Sequence, residues 1–110
     1  DTIACATPKI AKELFSSLTT AFPKLDFAAH LHVTPGQEHA LIESVIAGGC
    51  THFDTAIGGY GGCPMSNNKL VGNLATEKLL TFISEKKIEN KLNTLAFESA
   101  YNAALRIFPL

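Results

Sequence analysis

The chain has 110 residues, a length that suits one domain, and hydrophobic residues make up 46% of it, so a packed core is expected and disorder is not. The formal net charge is -1, which leaves no basic surplus for phosphates and argues against nucleic acid as a partner. Three cysteines argue against a disulfide framework, no apolar run reaches the roughly 20 residues of a membrane helix, and no signal peptide is visible. We therefore expect a protein of a reducing compartment that is neither secreted nor bound to a membrane.

The first element is a predicted helix over residues 8–22. Thr7 and Pro8 are a typical N-cap and first helical residue. Apolar side chains then recur at four-residue spacing, which is typical of an amphipathic helix. This apolar stripe consists of Ile10, Leu14, Leu18 and Phe22, flanked by Ala11 and Phe15.

Two short segments have the length of strands and are separated by a second predicted helix. Alternation along residues 25–32 places His30 and His32 on one face, and alternation along residues 51–57 places His52 and Asp54 on one face. The helix between them begins at a capping-box pattern over residues 34–37 and stops at two glycines, 48 and 49. Strands joined through a helix are expected to pair in parallel.

A glycine-rich loop over residues 58–62 leads to Cys63 and Pro64, and two further helices follow. Asn73 is a candidate N-cap for the first of them and Asn90 for the second. The predicted buried side of the last helix consists of Leu92, Leu95, Ala96, Ala100, Ala103 and Ile107. Two strands with this much helix indicate part of a larger α/β structure, because parallel sheets need more strands and helices on their outside.

The pattern His30-Leu31-His32 is the sharpest candidate site. Positions i and i+2 of a strand point the same way, so the two imidazoles would reach one divalent cation. The spacing alone is weak, and two histidines hydrogen-bonded to backbone or water are the commoner explanation. Asp54 is either a carboxylate that orients a ligand histidine or a satisfied polar group at the end of a strand.

The glycine-rich loop and Asn73 each have a functional and a structural interpretation. The glycines allow close backbone approach, and Cys63 at the tip would serve as nucleophile or proton donor, or be an incidental thiol. The Asn73 amide oxygen suits a hard cation such as Mg²⁺, although a helix cap is the simpler reading.

Four segments, in this order, resemble the 3-hydroxy-3-methylglutaryl-CoA lyase family of metal-dependent TIM-barrel lyases and Claisen-type synthases. They are residues 1–3 (DTI) with 7–8 (TP), 29–32 (AHLH), 61–64 (GGCP) and 72–77 (GNLATE). Each segment alone is weakly specific, but together they cover the chain from residue 1 to about residue 104. Val33 departs from the family, which often has Asp or Asn after the second histidine.

The resemblance implies a site at the C-terminal ends of barrel strands. It assigns His30, His32 and Asn73 to a divalent cation, Mg²⁺ or Mn²⁺, and it gives catalytic roles to His30 and Cys63. The implied reaction is cleavage of 3-hydroxy-3-methylglutaryl-CoA, an acyl-CoA substrate, to acetyl-CoA and acetoacetate. Cys63 or its loop would supply the proton that the acetyl-CoA enolate needs.

A complete barrel has about 250 residues, so residues 1–110 are expected to form one partial domain. We expect this domain to be the C-terminal portion of a TIM barrel, with two to three β/α units and C-terminal helices. An Arg-Asp pair on the family's first strand has no match here, so this portion alone is expected to be inactive. The resemblance implies bacterial cytoplasm or the mitochondrial matrix, and it leaves a homo-oligomer open. Two alternatives stay open: a related synthase or aldolase (isopropylmalate synthase, homocitrate synthase, 4-hydroxy-2-oxovalerate aldolase), and a non-catalytic half-barrel.

Overall fold

The computed structural model describes residues 1–62 and 71–108, and these residues form an α/β structure. The helices are α1 (Pro8–Ala21), α2 (Glu38–Ala47), α3 (Thr76–Glu85) and α4 (Thr94–Ile107). The strands are β1 (Ala28–His30), β2 (His32–Val33), β3 (His52–Asp54) and β4 (Gly72–Asn73), and a 3₁₀ turn covers Ile57–Gly59. The predicted alternation of helices and strands is confirmed, and β4 is an additional strand that the sequence patterns did not indicate.

The strands form two pairs that meet at Leu31. β1 and β3 are parallel, with His30 opposite Asp54, and α2 connects them as predicted. β2 and β4 are antiparallel, with His32 opposite Asn73. Because β2 follows β1 after a single residue, the two pairs bring their polar residues to the same end of the structure.

Helix α1 begins as predicted, but the flank of the predicted apolar stripe is buried and the residues at its centre are not. The Thr7 hydroxyl accepts a hydrogen bond from the Ile10 backbone N–H at 3.2 Å. Ala11 and Phe15 are the buried residues, whereas Ile10 and Leu14 are more than half exposed. The reason is that α1 packs against α2 through Phe15. The predicted stripe instead borders an open groove of about 460 Å³ between α1 and β1.

Helix α2 begins three residues later than the capping-box pattern predicts. Residues 34–37 form a turn in which the Gln37 N–H donates to the Thr34 carbonyl at 3.0 Å. Gly36 has φ +93°, a left-handed conformation that a helix cannot contain. The helix therefore starts at Glu38, and it ends before Gly48 as predicted.

The core lies between α1, α2, α3 and the strands. Ile42 and Val45 of α2 and Leu74 after β4 are completely buried, and Leu31 and Val33 pack into the same cluster. Val33 is thus part of the hydrophobic core, which explains why an apolar residue is accommodated after the second histidine.

Both predicted caps of the last two helices are wrong. Helix α3 begins at Thr76 with Ala75 as its N-cap, and Asn73 lies in β4. Asn93 caps α4 by accepting a hydrogen bond from the Ala96 N–H at 3.0 Å, whereas Asn90 forms a local turn with Leu92.

The predicted buried side of α4 is not buried by the described residues. Leu95 is 77% exposed and Ile107 is 71% exposed, and α4 touches mainly the 3₁₀ turn. The apolar spacing identified an apolar face correctly, but nothing in the described part of the chain covers it. In residues 1–62 and 71–108, no helix has the length and hydrophobicity needed to cross a membrane.

Candidate functional site

The two histidines of the His30-Leu31-His32 pattern lie side by side at the junction of the two strand pairs. Their ring centroids are 5.5 Å apart and the ring planes are inclined by 37°. Leu31 between them is buried and accepts a hydrogen bond from the Leu74 N–H at 2.9 Å, which anchors the backbone. The two imidazoles therefore lie side by side, as the alternation along the strand predicts.

His32 is a buried ring with an unused nitrogen. The residue is 7% exposed, and its Nδ1 atom is buried without a hydrogen-bond partner among the described residues. Burial lowers the pKa of His32, and the nearby His30 lowers the pKa further. The ring is therefore neutral near pH 7 and keeps a lone pair, which is the form that binds a metal ion.

Asn73 faces His32 across the β2–β4 pair. Its amide Nδ2 donates to the Tyr60 carbonyl at 2.8 Å. Because the amide nitrogen is engaged, the Oδ1 atom is the part of the side chain available as a ligand. The helix-cap interpretation of Asn73 is wrong, since this side chain is held in a strand by the glycine-rich loop.

The glycines of the loop are what allow Asn73 to sit there. A Cβ atom on Gly72 would collide with the Gly59 carbonyl oxygen, and one on Gly61 would lie 3.0 Å from the Asn73 amide nitrogen. The Asn73 N–H also donates to the Gly61 carbonyl at 3.2 Å. The loop glycines thus act through close backbone approach, as the sequence predicted.

Asp54 pairs with His30 rather than with His52, the histidine on its own strand. The Asp54 Oδ2 atom lies 3.2 Å from the His30 Nδ1 atom, across the parallel β1–β3 pair. Sequence spacing identified the carboxylate but not its partner, because the register between two strands is not encoded in either strand alone.

Cys63, the predicted catalytic cysteine, lies outside the described residues. Cys5 is exposed and Cys50 is buried, and neither was expected to act in catalysis.

The donor set at this junction suits a divalent cation. Two imidazoles and one amide oxygen are established ligand types for such ions, and the orphaned His32 nitrogen marks a polar atom in need of a partner. Within residues 1–62 and 71–108, no three histidine, cysteine or carboxylate side chains converge, so Asn73 would be needed and further ligands would have to come from outside these residues.

Comparison with known proteins places this arrangement in a family. The HMGL-like family model matches residues 1–103. The chain is 33% identical to a hydroxymethylglutaryl-CoA lyase of Bacillus subtilis over 84% of its length and 38% identical to that of Pseudomonas mevalonii over 73%. It covers 30% and 26% of these relatives, so it spans less than a third of their length.

The structure is also similar to solved lyases. An HMG-CoA lyase of Acinetobacter baumannii, in complex with coenzyme A and 3-methylmalate, superposes with a TM-score of 0.83 and 26% identity over 96% of this chain and 34% of that one. The observed α/β fold is therefore that of the matching part of an HMG-CoA lyase. The family match over nearly the whole sequence and the shared fold lead to one conclusion: this chain belongs to the HMGL-like family.

Proposed function

We propose that the complete protein containing this chain is a divalent-cation-dependent carbon–carbon lyase that cleaves 3-hydroxy-3-methylglutaryl-CoA to acetyl-CoA and acetoacetate. The observation that carries the proposal is the β2–β4 register, which sets Asn73 directly opposite His32, whose ring lies 5.5 Å from the ring of His30. Residues from two separate segments, the histidine pair and the asparagine, thus come together, which supports the cation site that the family resemblance implies. The coenzyme A of the related Acinetobacter structure supports an acyl-CoA as substrate.

The exposure of each side chain indicates which role it would have in cation binding and catalysis. His32 is buried and Asn73 is half-buried, and both would serve as ligands of the cation. The side chain of His30 is 58% exposed, so as a third ligand it would remain accessible to substrate and would act in catalysis. A bound Mg²⁺ or Mn²⁺ supplies Lewis-acid chemistry, which lowers the pKa of a substrate hydroxyl group.

Cys63 has the second catalytic role in the proposal. A base takes the proton of the substrate hydroxyl, and as the carbon–carbon bond breaks its electron pair stays on the acetyl-CoA fragment as an enolate. The Cys63 thiol, near the reacting carbon, would then donate a proton to that carbon. In the complete protein, Cys63→Ser is expected to reduce turnover severely while Mn²⁺ affinity stays close to wild type. Wild-type turnover in this variant would remove Cys63 from the mechanism.

We also propose that residues 1–110 pack as the C-terminal portion of a TIM barrel. The open groove beside β1 and the uncovered apolar face of α4 support this, because a complete barrel covers the helix and strand surfaces that are exposed here. The Arg-Asp pair of the first strand would then come from the rest of the barrel. A cytoplasmic or mitochondrial-matrix location and a homo-oligomeric state remain predictions.

The proposal is tested by assaying the complete gene product with 3-hydroxy-3-methylglutaryl-CoA in the presence of Mg²⁺, Mn²⁺ or EDTA. Release of acetoacetate that EDTA abolishes and Mn²⁺ restores is the expected result. Condensation of acetyl-CoA with a 2-oxo acid, with no cleavage, would indicate a synthase instead. Absence of both reactions in a folded protein would favour a non-catalytic role.

A further inference from the structure

We propose that Asp54 is a positioning residue for His30, which it holds with the proton on Nδ1 so that Nε2 is the atom offered to the cation. The inference rests on the proposed function, because it concerns one of the cation's ligands. Nothing in the family match or in the names of the relatives assigns a role to Asp54.

Strand register is the first support. His30 and Asp54 are the last residues of two parallel strands and lie directly opposite each other. Side chains at directly paired positions project from the same face of a sheet, so the 3.2 Å distance between His30 Nδ1 and Asp54 Oδ2 follows from the backbone. It does not depend on the position of a mobile loop.

The chemistry of the pair fixes the tautomer. A carboxylate only accepts hydrogen bonds, so a neutral imidazole facing it must carry its proton on the nearer nitrogen, Nδ1. The lone pair then lies on Nε2, at the opposite edge of the ring. A carboxylate bonded in this way also fixes the orientation of the ring.

The two histidines need different supports, and exposure explains why. His32 is buried, so packing restricts the rotation of its ring. The side chain of His30 is 58% exposed, and without a partner its ring would sample several rotamers and both tautomers. Asp54, itself 63% exposed, adds little to stability in such an open pair, so its contribution is to orientation.

The test uses the complete gene product with Asp54→Ala, the isosteric Asp54→Asn, and Asp26→Asn as a matched control, because Asp26 is an exposed aspartate just before β1. Two quantities are measured. One is the His30 tautomer in metal-free protein, from the ¹⁵N shifts of the ring at a pH at which it is neutral, assigned with His30→Gln. The other is Mn²⁺ affinity, from the electron paramagnetic resonance signal of free Mn²⁺.

We expect wild type and Asp26→Asn to show His30 protonated on Nδ1. Asp54→Ala should shift the ring toward the Nε2-protonated form and weaken Mn²⁺ binding by about 10–100-fold. Asp54→Asn should give a mixture of tautomers, because an amide both donates and accepts, and it decides the question if the alanine variant does not fold. Unchanged tautomers in the folded variants overturn the inference even if Mn²⁺ affinity falls, since Asp54 would then act as a ligand itself. Absence of Mn²⁺ binding in wild type would instead refute the proposed function, and the tautomer measurement would still decide the role of Asp54.

Discussion

Replacing Asn73 by aspartate separates the two tasks of this side chain, because the change should lower stability and preserve cation binding. The amide Nδ2 donates to the Tyr60 carbonyl at 2.8 Å, and in Asn73→Asp a carboxylate oxygen would face that carbonyl oxygen instead. Loss of the bond and confrontation of two acceptors in a half-buried place should lower the free energy of unfolding of the metal-free protein by about 1–3 kcal/mol. The carboxylate keeps an oxygen ligand and adds a negative charge, so Mn²⁺ affinity should equal or exceed that of wild type.

The assay compares urea unfolding of the metal-free protein with Mn²⁺ titration for wild type, Asn73→Asp and Asn73→Ala. The alanine variant is the matched control, because it removes the donor and the ligand oxygen together. It should lose stability and also bind Mn²⁺ more weakly than wild type. Wild-type Mn²⁺ affinity in Asn73→Ala would refute the ligand role, and wild-type stability in Asn73→Asp would refute the hydrogen bond to Tyr60.

Three further variants or conditions probe the packing and the buried histidine. A Cβ at Gly48 would lie 2.8 Å from Phe15 Cβ, so Gly48→Ala should lower the free energy of unfolding by about 1–3 kcal/mol. This steric cost should outweigh the better helix propensity of alanine. A variant that is more stable than wild type in urea unfolding would show that α1 and α2 are not in close contact. Gly72→Ala would collide with the Gly59 carbonyl, so it should weaken Mn²⁺ binding by displacing β4, which titration would detect; unchanged affinity would contradict this. The pKa of His32 is lower in the folded protein than its ordinary value of 6.5, so the unfolded state binds more protons once the pH falls below about 6.5. The metal-free protein should therefore lose stability as the pH falls from about 6.5 through the folded-state pKa of His32. The variant His32→Gln should flatten this part of the curve of unfolding free energy against pH.

The sequence predicted the elements better than the faces by which they pack. The start of α1 and the end of α2 follow from local signals, namely the Thr7 cap and the glycines at 48 and 49. Which side of a helix is buried depends on what lies beside it. Ile10 and Leu14, at the centre of the predicted stripe, are exposed, and Phe15 on its flank is the residue that meets α2.

The sequence predicted which residues are candidates for the site, but not which of them pair across the strands. Alternation along one strand placed His30 and His32 together, because both lie in the same short segment. The pairing of Asn73 with His32 and of Asp54 with His30 depends on strand register, which joins residues 24 to 41 positions apart. A local pattern carries no signal for such a distance, and only the family resemblance linked Asn73 to the histidines.

The most direct test of the central claim is a crystal structure of the complete gene product soaked in Mn²⁺, with the metal located by anomalous scattering. The account predicts one strong peak within coordination distance of a ring nitrogen of His30, a ring nitrogen of His32 and the Asn73 Oδ1 atom. A peak elsewhere, or no peak in a protein that cleaves 3-hydroxy-3-methylglutaryl-CoA, would contradict the assignment of these three residues to the cation.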